Sequence, residues 1–492
     1  MLHKRHLGVA VAALVFSLLG MAKAQWSEDG GVNLAIADRT GEQTQAKIVA
    51  TADGGAYVSW FDNSTSGYDV YLQRLDSGGV EQWAHNGVLI ADRSFSSTQD
   101  YALAVDTAGN ALLTFRDDRS GSVQITAAKV SSDGTLVWGT NGIQLTLGGS
   151  FVAAPKIAGT TDGNVVVAWT NDSDVKLQKL DGAGVPQWGT GVTIVDAGGG
   201  NYTASDLHAS DGGSVIVSMV LGFGGQLYAQ KLSSTGSMLW GAAPVNLFDV
   251  GALQFGNFPT FVPDGAGGAV FTWYTTSPLQ CFVQRIDADG TELYAHNGVA
   301  TSTVASRLRV SPNVSFNTAT EEIFVSWTEL NTLQSQHGIY AQKFSPTGVR
   351  QWTDSGRVIV PVGGLEQTQA RALAFGDGAM FFWVVAQGFG NQRVEATRLD
   401  GSGNDVWSPA IIEPSSLVSS KSRLAVALSA NNQALLAWKD GRDDAGDIYG
   451  QNVLANGSFG VPIEPIPTVS QWGMLALMLA VLGVGTLVFR NR

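Results

Sequence analysis

The sequence predicts an all-β protein: a single propeller of eight four-stranded blades, the last of which is completed by the N-terminal strand of the chain. Three observations predict this. A unit of four apolar-rich segments at residues 45–92 recurs along most of the 492 residues. Its copies are spaced 50 to 58 residues apart, the period of a repeat architecture. Two incomplete copies at the ends add up to one whole copy, as a closed ring of blades requires.

The founding unit reads QAKIVATADGGAYVSWFDNSTSGYDVYLQRLDSGGVEQWAHNGVLIAD. Ala56, Val58 and Trp60 alternate with Tyr57 and Ser59 at the two-residue period of a strand, and Gly, Asn, Asp and Ser clusters separate the segments as turns. An aromatic expected in the last strand recurs as Trp83, Trp138, Trp188, Trp240, Tyr294, Trp352 and Trp407. A second-strand aromatic recurs as Trp60, Phe115, Trp169, Trp273, Trp327, Trp383 and Trp438, with Ser218 at that place in the fourth unit. Most third strands carry Gln followed by a base, as in Gln73-Arg74, Gln178-Lys179, Gln230-Lys231, Gln284-Arg285 and Gln342-Lys343. These recurring residues, with His85 and His296 in the two AHNGV segments, read as architecture, because a catalytic group is needed only once. The buried Gln is expected to cap backbone groups between blades.

QWSEDGGVNLAIADR at 25–39 matches QWAHNGVLIADR at 82–93 with one extra residue, so it is a last strand lacking its first three. The unit from Lys421 to Gly460 has three strands and lacks the last. A row of β-sandwiches would need about seven strands per 100 residues and would leave this split copy unexplained. In such meanders the loops between second and third strands and those between blades emerge on one face. Here both are the longer ones, and binding usually resides in variable loops on a rigid frame.

Residues 25–465 hold 24 bases against 42 acids, a net charge of −18, which repels phosphate backbones and argues against nucleic-acid binding. A single cysteine, Cys281, excludes an internal disulfide and reads as a buried small residue. Residues 1–24 combine a basic start, an apolar run from Leu7 to Ala22 and Ala22-Lys23-Ala24 before Gln25: a secretory signal peptide for signal peptidase. The propeller then occupies 25–460, followed by a Pro-rich linker at 461–465.

The tail has three parts in order: Ile466, Pro467, Thr468, Val469, Ser470, Gln471, Trp472 and Gly473; an apolar stretch at 474–489, adequate for a transmembrane helix; and Arg490-Asn491-Arg492. This order over 466–492 resembles the IPTL-CTERM (IPTLxxWG) sorting signal of Gram-negative bacteria, with Val469 in place of the usual Leu. The resemblance implies an exosortase partner, a precursor held in the inner membrane by its C-terminal helix, and delivery of the body to the cell surface or outside.

Candidate site residues are few. The inter-blade loop aromatics Phe95, Phe151, Tyr202, Phe255 and Phe258 are candidates for a surface that stacks a glycan or meets a protein partner. Asp440, Asp443, Asp444 and Asp447 offer oxygen ligands for Ca2+, but their spacing is not that of a calcium loop and fits turn chemistry; no cofactor is expected. SSDGTLVW at 131–138 lacks the residue that separates Asp from Gly in a sialidase Asp-box, and reads as a hairpin turn. No G-x-S-x-G, H-E-x-x-H, P-loop or G-x-G-x-x-G is present, and His208 and His337 have no recognisable catalytic neighbour. The reading is a surface-sorted, non-enzymatic binding propeller. The alternative is an extracellular glycan hydrolase or lyase, which two carboxylates about 5 to 10 Å apart in a central pocket would favour.

Overall fold

The computed structural model describes residues 25–94, 101–222, 225–254, 256 and 258–461; the segments expected to be the leader (1–24), most of the linker and the sorting signal (466–492) lie outside the described residues. The chain forms eight four-stranded antiparallel sheets. Blade 1 consists of Gln43–Ala50, Ala56–Asp62, Asp69–Leu75 and Val88–Ala91. Blades 2 to 7 follow at 102–144, 152–194, 202–248, 261–300, 308–363 and 366–419. Blade 8 takes Lys421–Leu428, Ala434–Asp440 and Asp447–Val453, then borrows Leu34–Ala37 as its outermost strand, with Leu34 opposite Gly450 and Ala35 opposite Tyr449. The ring thus closes through the N-terminal strand. Among the described residues the one helical element is a 3-10 turn at Asp211–Gly213, and no helix there is long and apolar enough to cross a membrane.

There is no single core. Eight apolar layers lie between neighbouring blades, and each blade contributes to two of them. Ala56, Val58 and Trp60 pack with Leu435, Ala437 and Ile448 of blade 8, whereas Tyr57 and Phe61 pack with Ala111, Leu113 and Phe115 of blade 2. Alternation in the second strand therefore separates two buried faces, not a buried from a wet one, and all seven residues of Ala56–Asp62 are buried.

The repeated residues hold this arrangement together, with three departures from expectation. The recurring last-strand aromatic lies in the bend ahead of that strand, as with Trp83 before Val88–Ala91, where its indole reaches the following blade: Trp83 Nε1 donates to Ser132 O at 3.2 Å, Trp240 Nε1 to Ala288 O at 2.9 Å and Trp407 Nε1 to Ala455 O at 3.0 Å. The third-strand Gln caps its own blade, not its neighbour: Gln178 Nε2 donates to Gly189 O at 3.0 Å while its Oε1 accepts from Trp188 N at 3.0 Å. The base after it makes the crossing. Lys179 Nζ holds Asp162 of its own blade at 2.6 Å and donates to Ser234 O of the next at 3.1 Å. In blade 4 the equivalent of Trp60 is Met219, which faces Tyr228 as Trp60 faces Tyr71; the turn at 210–214 matches 51–55 in length, with Ser214 in the place of Gly55, so counting from Gly213 lands one residue short on Ser218. Cys281 is fully buried, and burial pushes its thiol pKa up.

Candidate functional site: the central channel

The first strands of the blades stand around the axis, and their half-buried faces line a channel. At one level of it, each first strand places a residue opposite the one that precedes the second-strand aromatic or Met219: Lys47 faces Ser59, Lys156 faces Ala168, Asp206 faces Ser218, Asn313 faces Ser326 and Arg371 faces Phe382. Ala102 and Ala425 hold the place in blades 2 and 8, and Thr260 precedes the first strand of blade 5 there. Unlike the frame residues, no charged residue type dominates this level around the ring.

A recurring distortion prepares it. Just before this level the register slips in six first strands, and in five of them a non-glycine residue takes a left-handed backbone: Gln45, Ala154, Ser311, Gln369 and Arg423, with φ between 48° and 61°. Such bulges bend strands and re-aim side chains.

Two cavities occupy the channel. One, of about 460 Å3, is lined by Lys47, Tyr101, Lys156, Asp206, His208 and Thr260 among others. The second, of about 600 Å3, adjoins the inter-blade loop of blade 5 and is lined by Phe258, Thr260, Tyr274, Asn313, Arg371 and Arg423 among others. The first strands together carry six bases (Lys47, Lys156, Arg309, Arg371, Lys421, Arg423) and two acids (Asp206, Glu366), a reversal of the surplus of acids in the whole body.

His208 has the partner that the sequence did not reveal. Two residues apart on one strand, Asp206 and His208 share a face, with Asp206 Oδ2 at 3.1 Å from His208 Nε2. Phe261 N donates to the same oxygen at 3.3 Å, and the Phe261 ring meets the imidazole edge-on at 4.8 Å. Burial opposes the charged form of each, but their mutual attraction outweighs it: the Asp206 pKa is lowered and the His208 pKa raised. Arg371 donates to the carbonyls of Leu424 at 3.1 Å and Ala370 at 3.0 Å, and burial with no acid beside it lowers its pKa to about 10.

The described candidate aromatics, Phe151, Tyr202 and Phe258, do not form one surface. Phe258 borders the larger cavity and is 43% exposed; Phe151 is exposed, 5.9 Å from the Arg116 guanidinium, and lines neither cavity. Tyr202 is a correction: it is buried against Tyr228 with ring centroids 5.4 Å apart, because it begins a first strand that is covered by its neighbours. Phe95 and Phe255 lie outside the described residues. The blade-8 aspartates are occupied structurally. Asp440 takes Lys421 Nζ at 2.9 Å, Arg442 Nη2 at 2.7 Å and Trp438 Nε1 at 2.9 Å. Asp443 accepts from Tyr449 at 2.8 Å, and Asp444 from the backbone of Gly41 and Gly446 at 2.9 and 3.0 Å. Asp447 is buried with Oδ2 unpartnered, and among the described residues no group of three or more His, Cys, Asp or Glu is placed to hold a metal. Asp133 serves its hairpin turn, accepting from Thr135 N at 3.1 Å.

No protein-family model matches the chain, and no curated protein does. Among solved structures, the PL25 ulvan lyase bound to -[GlcA(1-4)Rha3S]- is similar at 10% identity and a TM-score of 0.47, covering 87% of this chain and 97% of that one. The α-L-arabinanase of Penicillium chrysogenum complexed with arabinobiose is similar at 10% identity and a TM-score of 0.34, over 61% and 92% of the two chains. A eukaryotic initiation factor is similar at 11% identity and a TM-score of 0.43, over 89% and 94%. Likeness at this level, shared by such different proteins, carries no conclusion about the chemistry of this chain.

Proposed function

We propose that the protein is an exported, surface-sorted, non-enzymatic binding propeller that takes its ligand into the channel from the face bearing the inter-blade loops. The observation that carries this is the contrast between repeated and unrepeated positions. Aromatics, Gln-base pairs and turn glycines recur from blade to blade and build the frame, whereas Lys47, Lys156, Asp206, Asn313 and Arg371 occupy one equivalent position with different chemistry and line the cavities. A frame alone would repeat there as well. Sites that need convergent, individually chosen groups use such concave surfaces. The termini supply the address: signal peptidase removes 1–24, and an exosortase acts at 466–473 once the apolar tail has held the precursor in the inner membrane.

The test has two arms. Full-length chain in detergent is screened against glycans and envelope proteins, beside a Thr260→Trp variant that fills the channel; a ligand that binds both equally would place the site elsewhere. In the host, mass spectrometry of the surface protein should find peptides ending before or within 466–473, and recovery of an intact 474–492 would instead indicate a permanent anchor.

One observation favours a second reading, a glycan hydrolase or lyase: the Asp206–His208 pair faces a cavity. Among the described residues lining the two cavities Asp206 is the only carboxylate, so a paired-carboxylate glycosidase geometry is not formed there. Release of reducing or unsaturated sugar ends that is lost in His208→Ala would establish the enzymatic reading.

A further inference from the structure

We infer that the larger cavity, between blades 5 and 8 at the channel mouth, binds an oligosaccharide through an anionic group, a carboxylate or a sulfate, which Arg371 and Arg423 hold while the sugar face rests on Phe258. This rests on the channel as the binding site and names the chemistry of what enters it.

The first argument is charge. The body has 42 acids for 24 bases, and most of its described bases are paired with a carboxylate. Arg371 and Arg423 line the cavity and form no ion pair among the described residues, and no acid lines that cavity with them. Keeping the Arg371 guanidinium buried with no acid beside it costs desolvation. Two nearby acids would remove that cost in a chain so rich in them. Their absence leaves guanidinium donors on adjacent blades: the exposed Arg423 fork, suited to bidentate capture of a carboxylate or sulfate, and the outer end of Arg371, whose Nε and Nη1 already donate to Leu424 O and Ala370 O.

The second argument concerns shape and the rest of the lining. About 600 Å3 admits a short oligosaccharide and not a folded partner. Phe258 offers an exposed aromatic face, the usual support for the apolar side of a sugar ring, and Thr260 and Asn313 add groups that hydrogen-bond hydroxyls. Asn313 spends its Oδ1 on Ala372 N at 2.9 Å, which fixes the amide with its NH2 as the remaining donor. The acidic exterior disfavours a long polyphosphate, whose charge density is high; a chain end with one or two anionic groups escapes most of that repulsion within a Debye length of about 8 Å.

The experiment is calorimetry on the full-length chain in detergent with four probes: an oligogalacturonate, a sulfated galactan oligosaccharide free of uronate, the neutral galactan oligosaccharide, and oligo-dT. The expected result is that one or both acidic sugars bind, more weakly as salt rises, and that the neutral sugar and oligo-dT do not. Which acidic sugar binds distinguishes carboxylate from sulfate. Arg423→Gln should lose about tenfold in affinity, the value of one charge-assisted contact, and Phe258→Ala several-fold. Arg423 is exposed, so its variant tests the idea even if Arg371→Gln fails to fold. Equal binding of neutral and acidic sugars, an Arg423→Gln affinity unchanged, preference for oligo-dT, or no binding of either acidic sugar would each overturn the inference. Neutral-sugar binding abolished by Thr260→Trp would leave the channel as the site while removing its anionic chemistry. Acidic-sugar binding untouched by Thr260→Trp would instead remove the channel.

Discussion

Trp26 lies against Gly79 across the seam where blade 8 meets blade 1. A Cβ on Gly79 would stand 2.6 Å from Trp26 Cδ2, and Trp26 N donates to Gly78 O at 2.9 Å. The same hairpin glycine meets the preceding aromatic at other junctions, Gly290 against Trp240 and Gly457 against Trp407 among them. Gly79 has φ +82°, so a side chain there would be strained as well as crowded. Trp26 and the segment that follows it are therefore a built part of the ring. Trp26→Ala should cost about 3 to 5 kcal/mol, and deletion of 25–38 more, since it also exposes the strand Asp447–Val453. Urea unfolding measures both; a loss below about 1 kcal/mol for Trp26→Ala would mean the seam does not bear load.

Asp447 makes this seam pH-sensitive. It is buried in the strand that Leu34–Ala37 completes, and burial first, then Asp444, Asp443 and Asp38, raise its pKa to about 7. The folded state then holds the proton more tightly than the unfolded one, so this contribution is whole below the unfolded value near 4 and falls away as pH climbs towards 7. Asp447→Asn should raise the melting temperature at pH 8, by up to about 4 kcal/mol of stability, and change little at pH 4. An unchanged melting temperature at pH 8 would show that the carboxylate is accommodated.

His85 acts at the same seam with the same sign. Its Nε2 lies 2.9 Å from Asp38 Oδ1, at the end of the borrowed strand, and its Nδ1 3.0 Å from Glu81 Oε1. Burial opposes protonation, yet Glu81 and Asp38 outweigh it and raise the His85 pKa. Its contribution is thus fully present below the ordinary histidine value near 6.5 and lost as pH rises through the raised folded value. His85→Gln should lower the melting temperature at pH 6 and leave it unaltered at pH 9. Equal effects at both would remove the charge from the explanation.

Lys421 and Asp440 are both fully buried, 2.9 Å apart. Burial opposes ionisation of Asp440, but Arg442 and Lys421 hold its pKa down at about 2, so this stability is present above the unfolded carboxylate value and is lost as pH falls towards 2. Lys421→Met should cost about 3 kcal/mol by leaving a buried carboxylate one partner short. Denaturant unfolding at pH 7 measures it, and the deficit should shrink at pH 3.

By itself the sequence determined the frame. The period of the aromatics, the Gln-base pairs and the match of 25–39 to 82–93 settled the blade count and the closure, because these positions answer to local spacing and to a neighbour that looks the same at every junction. Tyr202 was misjudged by that logic: at the edge of an inter-blade loop it looks exposed, and only the crowding by adjacent strands buries it. The channel was decided by tertiary structure. Lys47, Asp206, Arg371 and Arg423 are spread over nearly 400 residues and become neighbours around one axis only when the ring closes. The bulge that aims them left no mark either, since its left-handed residues are Gln, Ala, Ser, Gln and Arg, none of them glycine. Packing around the axis, not local preference, holds those residues there, and strain of that kind is invisible until the surrounding structure that imposes it is in place.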